Sequence, residues 1–226
     1  DIQSHYVDQA QWITAPEHRF DADRNTEVLA AERWTTPVPL DLFHESTGET
    51  AFPGYLSHVA EGDLLHFACN GRIDYRLCGI RVRQHCEWGL REPAGGGDIF
   101  AFTARGENAE LSIQIGPETG FQPEMRLRLD NDHALDPASR QWRAAYPGLE
   151  ITAADGGGYS LSLAPSAEAG HDAQFPLMLD QFLDLMDADA WPADLAARIR
   201  TRYTLLARAR DLAQFSTNLE SPTRPK

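Results

Sequence analysis

From about Asp63 to Leu129, apolar residues recur at every second position, and that period decides what the middle of this chain can be. Ile80, Val82, Cys86 and Trp88 alternate with Arg81, Arg83, His85 and Glu87. A pattern of that kind suits an extended strand with one buried and one wet face. Phe100 and Phe102 open a further strand. Leu111, Ile113 and Ile115 alternate with Ser112 and Gln114, and Met125, Leu127 and Leu129 alternate with Arg126 and Arg128. Asp63–Cys69 and Arg72–Leu77 flank Asn70-Gly71, which reads as a hairpin because both residue types tolerate positive φ. Short runs with short connections predict a mostly antiparallel sheet.

The period changes at the two ends of the chain. Residues 2–13 read as a helix stopped before Pro16, and residues 40–47 as a short helix with Gly48 past its end. Residues 27–34 are strand-like. Asp136-Pro137 reads as a helix start, with Asp136 as the N-cap, and the helix runs to about Tyr146. Residues 149–152 and 159–163 form a hairpin-like pair. Phe175, Met178, Leu179, Phe182 and Met186 recur at helical spacing, as do Leu195, Ile199, Tyr203 and Leu206. The expectation is an α+β domain over residues 1–215: an open, mostly antiparallel sheet of roughly six to eight strands with helices packed on one face. A polar tail follows at 216–226.

Charge narrows the function classes. Twenty Lys and Arg stand against 34 Asp and Glu, for a net charge of −14. Such a surface repels phosphate backbones, so no nucleic-acid partner is expected. The sole lysine is Lys226, which removes a Schiff-base or general-base lysine from this chain. Cys69, Cys78 and Cys86 form no C-x-x-C pair, so free thiols in a reducing compartment are expected rather than a disulfide framework or a structural zinc. No apolar run reaches membrane-spanning length, and the first residues lack a basic n-region, so neither a membrane contact nor a secretory signal is expected. The expected location is the bacterial cytoplasm. An exported form stays open, because the chain begins at Asp1 rather than Met.

Several candidate sites can be weighed on residues alone. Gly95–Gly97 and Gly156–Gly158 do not open helices after buried strands, and no G-x-G-x-x-G or P-loop motif occurs, so tight turns explain both. Asp98, closing the first cluster, could hydrogen-bond a polyhydroxylated ligand or simply form an Asx turn. The eight histidines are dispersed and include no H-x-x-x-H pair. Asp1, His5 and Asp8 stand four and three apart, which in a helix puts them on one face. A carboxylate beside an imidazole is the minimal kit for proton transfer, though a helix start that favours acids would look the same. A divalent metal at these three has little support, and none is expected. The tryptophans are packing residues first, and one or two could stack on a sugar ring.

The segment Asp1-Ile2-Gln3-Ser4-His5-Tyr6-Val7-Asp8-Gln9 resembles the D-I-G-[ST]-H-x-x-D signature of the Gfo/Idh/MocA family, the glucose–fructose oxidoreductase and inositol dehydrogenase group. Glu32-Arg33-Trp34-Thr35-Thr36-Pro37, Phe52-Pro53-x-Tyr55-Leu56, Cys69-Asn70-Gly71-x-Ile73-x-Tyr75 and Trp88-x-x-x-x-Pro93-x-Gly95-x-Gly97-Asp98 are similar to that family's C-terminal domain in the same chain order. So are Arg105-Gly106, Ile115-Gly116-x-Glu118 and the closing Tyr203-x-Leu205-Leu206-Ala207. The resemblance implies an open-sheet α+β domain that contacts substrate and carries the oligomer interface. A separate N-terminal Rossmann domain would bind NAD or NADP and bring a lysine. It further implies that His5 exchanges a proton with a substrate hydroxyl while Asp1 orients it. Two departures stand out. Gln3 replaces the usual glycine, and the cofactor domain with its lysine is not in this chain.

The sequence reading is therefore the substrate-binding and oligomerisation domain of an NAD(P)-dependent oxidoreductase acting on a sugar, polyol or related hydroxy compound. The catalytic candidates are His5 and Asp1. The candidate substrate contacts are Asp8, Arg33, Trp34 and Asp98, with no cofactor-binding residue in this chain. Expected partners are the small-molecule substrate, the Rossmann domain and a second copy joined through the sheet. Two alternatives remain: a non-catalytic carbohydrate-binding or dimerisation module, and a metal-assisted lyase or hydrolase at Asp1, His5 and Asp8.

Overall fold

A computed structural model describes residues 2–16, 19–130, 135–163, 171–188 and 191–215. In chain order its helices are α1 (Ile2–Thr14), α2 (Ala22–Asn25), α3 (Leu40–Thr47), α4 (Leu135–Ala145), α5 (His171–Asp187) and α6 (Ala193–Leu212). Its strands are β1 (Thr26–Pro39), β2 (Ala60–Glu61), β3 (Leu64–Leu77), β4 (Ile80–Cys86), β5 (Phe100–Arg105), β6 (Ala109–Ile115), β7 (Glu124–Leu129), β8 (Glu150–Ala153), β9 (Tyr159–Ser162) and β10 (Gln214–Phe215). They gather into two compact units: Asp1–Leu90 with Ala188–Lys226, and Arg91–Asp187.

The first unit is built on two fourteen-residue strands, β1 and β3, paired antiparallel along their length. β4 and β2 also pair with β3, and β10 runs parallel beside β1. Residues 71, 73, 75 and 77 of β3 share one face of this sheet because strand side chains alternate. That face is apolar and carries Ile73, Tyr75 and Leu77. They are buried in one cluster with Val7 and Ala10 of α1 and Leu205 and Ala209 of α6. Each large apolar side chain fully buried here contributes about 1.5–3 kcal/mol. The opposite face carries residues 70, 72, 74 and 76 and is held by charge. Arg72 reaches Glu32 at 2.7 Å, and Arg83 grips Asp74 with two bonds of 2.7 and 3.1 Å.

Asn70-Gly71 is not the hairpin its composition suggests. Both residues sit inside β3, and the β3–β4 turn is Cys78-Gly79, with φ of 50° and 84° between the paired Leu77 and Ile80. Positive φ at both central positions matches the twist of the flanking strands. Gly71 has a different reason to be glycine. A Cβ there would stand 3.0 Å from Gln3 Nε2 and 3.3 Å from the Glu32 carbonyl oxygen.

The second unit is a five-stranded antiparallel sheet in the order β5-β6-β7-β9-β8. Its pairings set Phe102, Ile113, Met125 and Leu161 in one row and Ala104, Leu111, Leu127 and Tyr159 in the next, all on one face. Thr103, Ser112, Arg126 and Ser160 line the other. The α+β class and antiparallel pairing agree with the sequence reading, but the strands form two five-stranded sheets rather than one. The break is the stretch 87–99, where Pro93 and three positive-φ glycines leave no strand to bridge β4 and β5. The α4 helix begins at Leu135, so Asp136 lies in its first turn and not at its N-cap.

Candidate functional site

α1 presents the candidate chemistry. Its buried positions are Val7, Ala10 and Gln11, the stripe laid on the sheet and α6. By helical geometry, residues 5, 8 and 12 form a stripe on the outward side. His5 is exposed there, and Trp12 keeps 55% of its surface open. Asp1 lies outside the described residues.

The helix start is tied to the sheet by one side chain. Gln3 Nε2 donates to the Gly71 carbonyl at 2.7 Å, and Gln84 Nε2 donates to Gln3 Oε1 and, at 3.2 Å, to the Gln3 carbonyl. Tyr75, fully buried, donates its hydroxyl to Gln84 Oε1 at 3.1 Å. Burial without a nearby charge pushes the Tyr75 phenol well above its usual range, so it stays a neutral donor. The chain Tyr75–Gln84–Gln3–Gly71 fixes the turn of α1 that carries His5, two residues on. Gln3 is thus the anchor of the helix.

The other end of α1 rests on α6. Asp8 Oδ1 meets Arg202 Nη1 at 3.1 Å, so this carboxylate is shared with α6 rather than reserved for His5. Arg198, buried, donates to the Ala15 and Pro16 carbonyls at the helix end. Its guanidinium lies over the rings of Trp12 at 4.3 Å and Phe20 at 5.0 Å. A cation on the C-terminal carbonyls of a helix is favoured by the helix dipole.

Within the first unit, Arg33 and Trp34 do not share a face. Arg33 pairs with Gly71 and lies on the α1 face of the sheet. Trp34 pairs with Asn70 on the opposite face, where its ring meets His85 at 5.2 Å and its buried Nε1 has no hydrogen-bond partner among the described residues. Consecutive strand residues necessarily part in this way. Asp98 is exposed and belongs to the second unit.

Both glycine clusters have steric explanations. Cβ atoms at Gly95 and Gly97 would lie 2.9 and 3.1 Å from the Phe121 ring, and one at Gly158 would lie 2.6 Å from the Leu127 carbonyl oxygen. Gly95 and Gly97 seat the ring, and Gly158 lets β7 pass close by. Among the described residues, no group of three or more His, Cys, Asp or Glu is placed to hold a metal ion. No helix among them is long and apolar enough to cross a membrane.

One constellation escaped the sequence reading. Asn70, buried, donates from Nδ2 to Thr36 Oγ1 at 2.8 Å and accepts the Trp88 backbone N–H at 2.8 Å, while Thr36 Oγ1 donates to the Trp88 carbonyl at 3.0 Å. This holds Trp88 with its ring edge-to-face on Phe67 at 5.7 Å, the two rings 43% and 48% exposed. A buried-side Asn between two aromatics was the available signal, but its neighbour glycine made it look like a turn.

Residues 1–214 match the family described as putative oxidoreductase C terminal domain. The chain belongs to that family. A crystal structure of a putative oxidoreductase from Parabacteroides merdae is similar to it at a TM-score of 0.83 and 29% sequence identity. That match covers 93% of this chain and 51% of that one, so the chain spans about half the length of its structural relative. No curated protein matches it. Membership of this oxidoreductase C-terminal family accounts for the α+β architecture and for the run of similarity from α1 to α6.

Proposed function

We propose that this chain is the substrate-contacting and self-associating half of an NAD(P)-dependent oxidoreductase of the Gfo/Idh/MocA group, acting on a hydroxyl of a sugar, polyol or related compound. The observation that carries the reading is His5. It stands exposed on the outward stripe of a helix whose buried stripe and Gln3 anchor hold it against the sheet. A proton carrier turned away from its own core is suited to a substrate that arrives from outside this unit. Near neutrality an imidazole exchanges a proton readily, so His5 takes the hydroxyl proton on oxidation and returns it on reduction. Asp1 is the orienting carboxylate in this scheme, and Asp8 buttresses the helix through Arg202.

In this reading hydride acceptance belongs to another part of the intact protein, and no step through the nucleotide is drawn from this chain. The exposed rings of Phe67 and Trp88 offer an apolar platform for the C–H face of a sugar.

In the intact enzyme, His5→Ala should lower turnover by roughly 10²–10⁴-fold, the usual loss for a general acid–base. Unchanged turnover removes His5 from the mechanism. The 226-residue chain alone should show no saturable NAD(P)H binding, and a micromolar dissociation constant would overturn the division of labour.

A further inference from the structure

The rings of Phe67 and Trp88 do not lie on the side of the sheet that carries His5. Residues paired across strands share a face, and next-but-one neighbours along a strand share it too. Pairing sets Trp34 beside Asn70 and Thr36 beside Phe67, so these four side chains lie on the face opposite α1. Asn70 and Thr36 hold the Trp88 backbone over that same face. His5 belongs to the outward stripe of α1, so the sheet and a helix about 10 Å across stand between it and the two rings. One sugar ring cannot meet both.

Beside the rings the face turns polar. Glu32, Arg72 and His85 form one row across β1, β3 and β4. Four residues of β1, about 14 Å, separate that row from the row of Thr36 and Phe67. The His85 ring meets Trp34 at 5.2 Å, and His85 Nε2 lies 3.6 Å from Glu87 Oε2, with 42% and 39% of the His85 and Glu87 side chains open. Trp34, between the two rows, is buried, and its Nε1 has no hydrogen-bond partner among the described residues. A buried donor left idle is costly, and a ligand hydroxyl is the kind of acceptor it lacks.

Half-exposed rings next to donors and acceptors suit a molecule with an apolar C–H face and a rim of hydroxyls. Charge narrows the class. Arg72 already pairs with Glu32 at 2.7 Å, and Arg83, further along the face, with Asp74 at 2.7 Å. These cations are matched, and the carboxylates of Glu32 and Glu87 repel a phosphate or a uronate. We propose that this face is a second saccharide site, which takes a neutral di- or oligosaccharide. One ring rests on Trp88 and Phe67, and the next reaches toward His85 and Glu87. The site rests on the sugar class proposed above and holds its ligand without reacting it, so it does not depend on the role of His5.

The test is calorimetric titration of the 226-residue chain with cellobiose, maltose and sucrose, and with a glucuronate-containing disaccharide as the charged control. Stacking reads the C–H face more than the linkage, so a small panel serves. At least one neutral disaccharide should bind saturably, in the millimolar range. Trp88→Ala should weaken that binding roughly tenfold or more, the worth of a lost aromatic contact. Glu87→Gln should weaken it as well, Trp88→Phe should keep most of it, and His5→Ala should leave it unchanged. No saturable binding of any of the three overturns the site, as does binding that neither Trp88→Ala nor Glu87→Gln alters. Equal binding of the glucuronate disaccharide overturns the neutral class. Binding lost in His5→Ala but kept in Trp88→Ala places the sugar on α1, which overturns this inference and leaves the reading of His5 standing.

Discussion

Gln3 and Gly71 are sixty-eight positions apart and bonded at 2.7 Å, amide to carbonyl, across the join between α1 and β3. The bond needs glycine at one end, because a Cβ at position 71 would press on Gln3 Nε2 at 3.0 Å. It also needs a long amide at the other, which also serves Gln84. Gln3→Gly should cost roughly 2 kcal/mol, from lost hydrogen bonds and lower helix propensity together. Urea denaturation measures it, and an unchanged midpoint with unchanged slope would show the anchor to be idle.

Tyr75 gives the fold an alkaline limit. Its folded pKa is raised by burial, so its contribution is fully present below the unfolded phenol's value of about 10 and is lost as pH rises toward the folded value. Stability of the parent should fall faster above pH ~10 than that of Tyr75→Phe, which cannot ionise. Parallel pH–stability curves for the two would contradict this.

The Asp74–Arg83 pair is unequal: the Asp74 side chain is 9% exposed and that of Arg83 62%. Arg83→Ala strands a buried carboxylate and should cost about 1–3 kcal/mol. Asp74→Asn/Arg83→Ala together should cost less than Arg83→Ala alone. A larger cost for the double variant would mean that Arg83 acts by something other than charge.

Gly157 and Gly158 are adjacent and both have positive φ, at 97° and 79°. Nothing lies within 4 Å of a Cβ at 157, whereas one at 158 would lie 2.6 Å from the Leu127 oxygen. Gly157→Ala should cost about 1–2 kcal/mol, the backbone penalty alone, and Gly158→Ala visibly more because β7 must move. Equal melting shifts would deny the clash.

What the sequence showed well was whatever depends on neighbours in the chain. The alternation of Ile80, Val82 and Cys86 belongs to β4, which ends before Trp88, and that of Leu111, Ile113 and Ile115 to β6, while Gly48 is the left-handed cap of α3, with its N–H on the His44 carbonyl at 2.8 Å. What it hid depends on residues far away. Asn70-Gly71 has the local chemistry of a turn, but Thr36, Trp88 and Gln3 claim it for a strand interior. The helical spacing of His5 and Asp8 was readable, whereas the hold of Arg202 on Asp8 was not, with 194 positions between them. Arg33 and Trp34, neighbours in the chain, were grouped as one site although a strand turns them to opposite faces.

The tight Cys78-Gly79 turn makes this fold intolerant of length change at one place. Adding one residue there would slip β4 by one position against β3, and a slip of one exchanges the two faces of a strand. Gln84 would turn outward and Arg83 inward, under α1. The amide holding Gln3 would be replaced by a charge, and the helix bearing His5 would lose its seat although no residue of that helix had changed. In descendants of this chain, insertions should be absent from the β3–β4 turn.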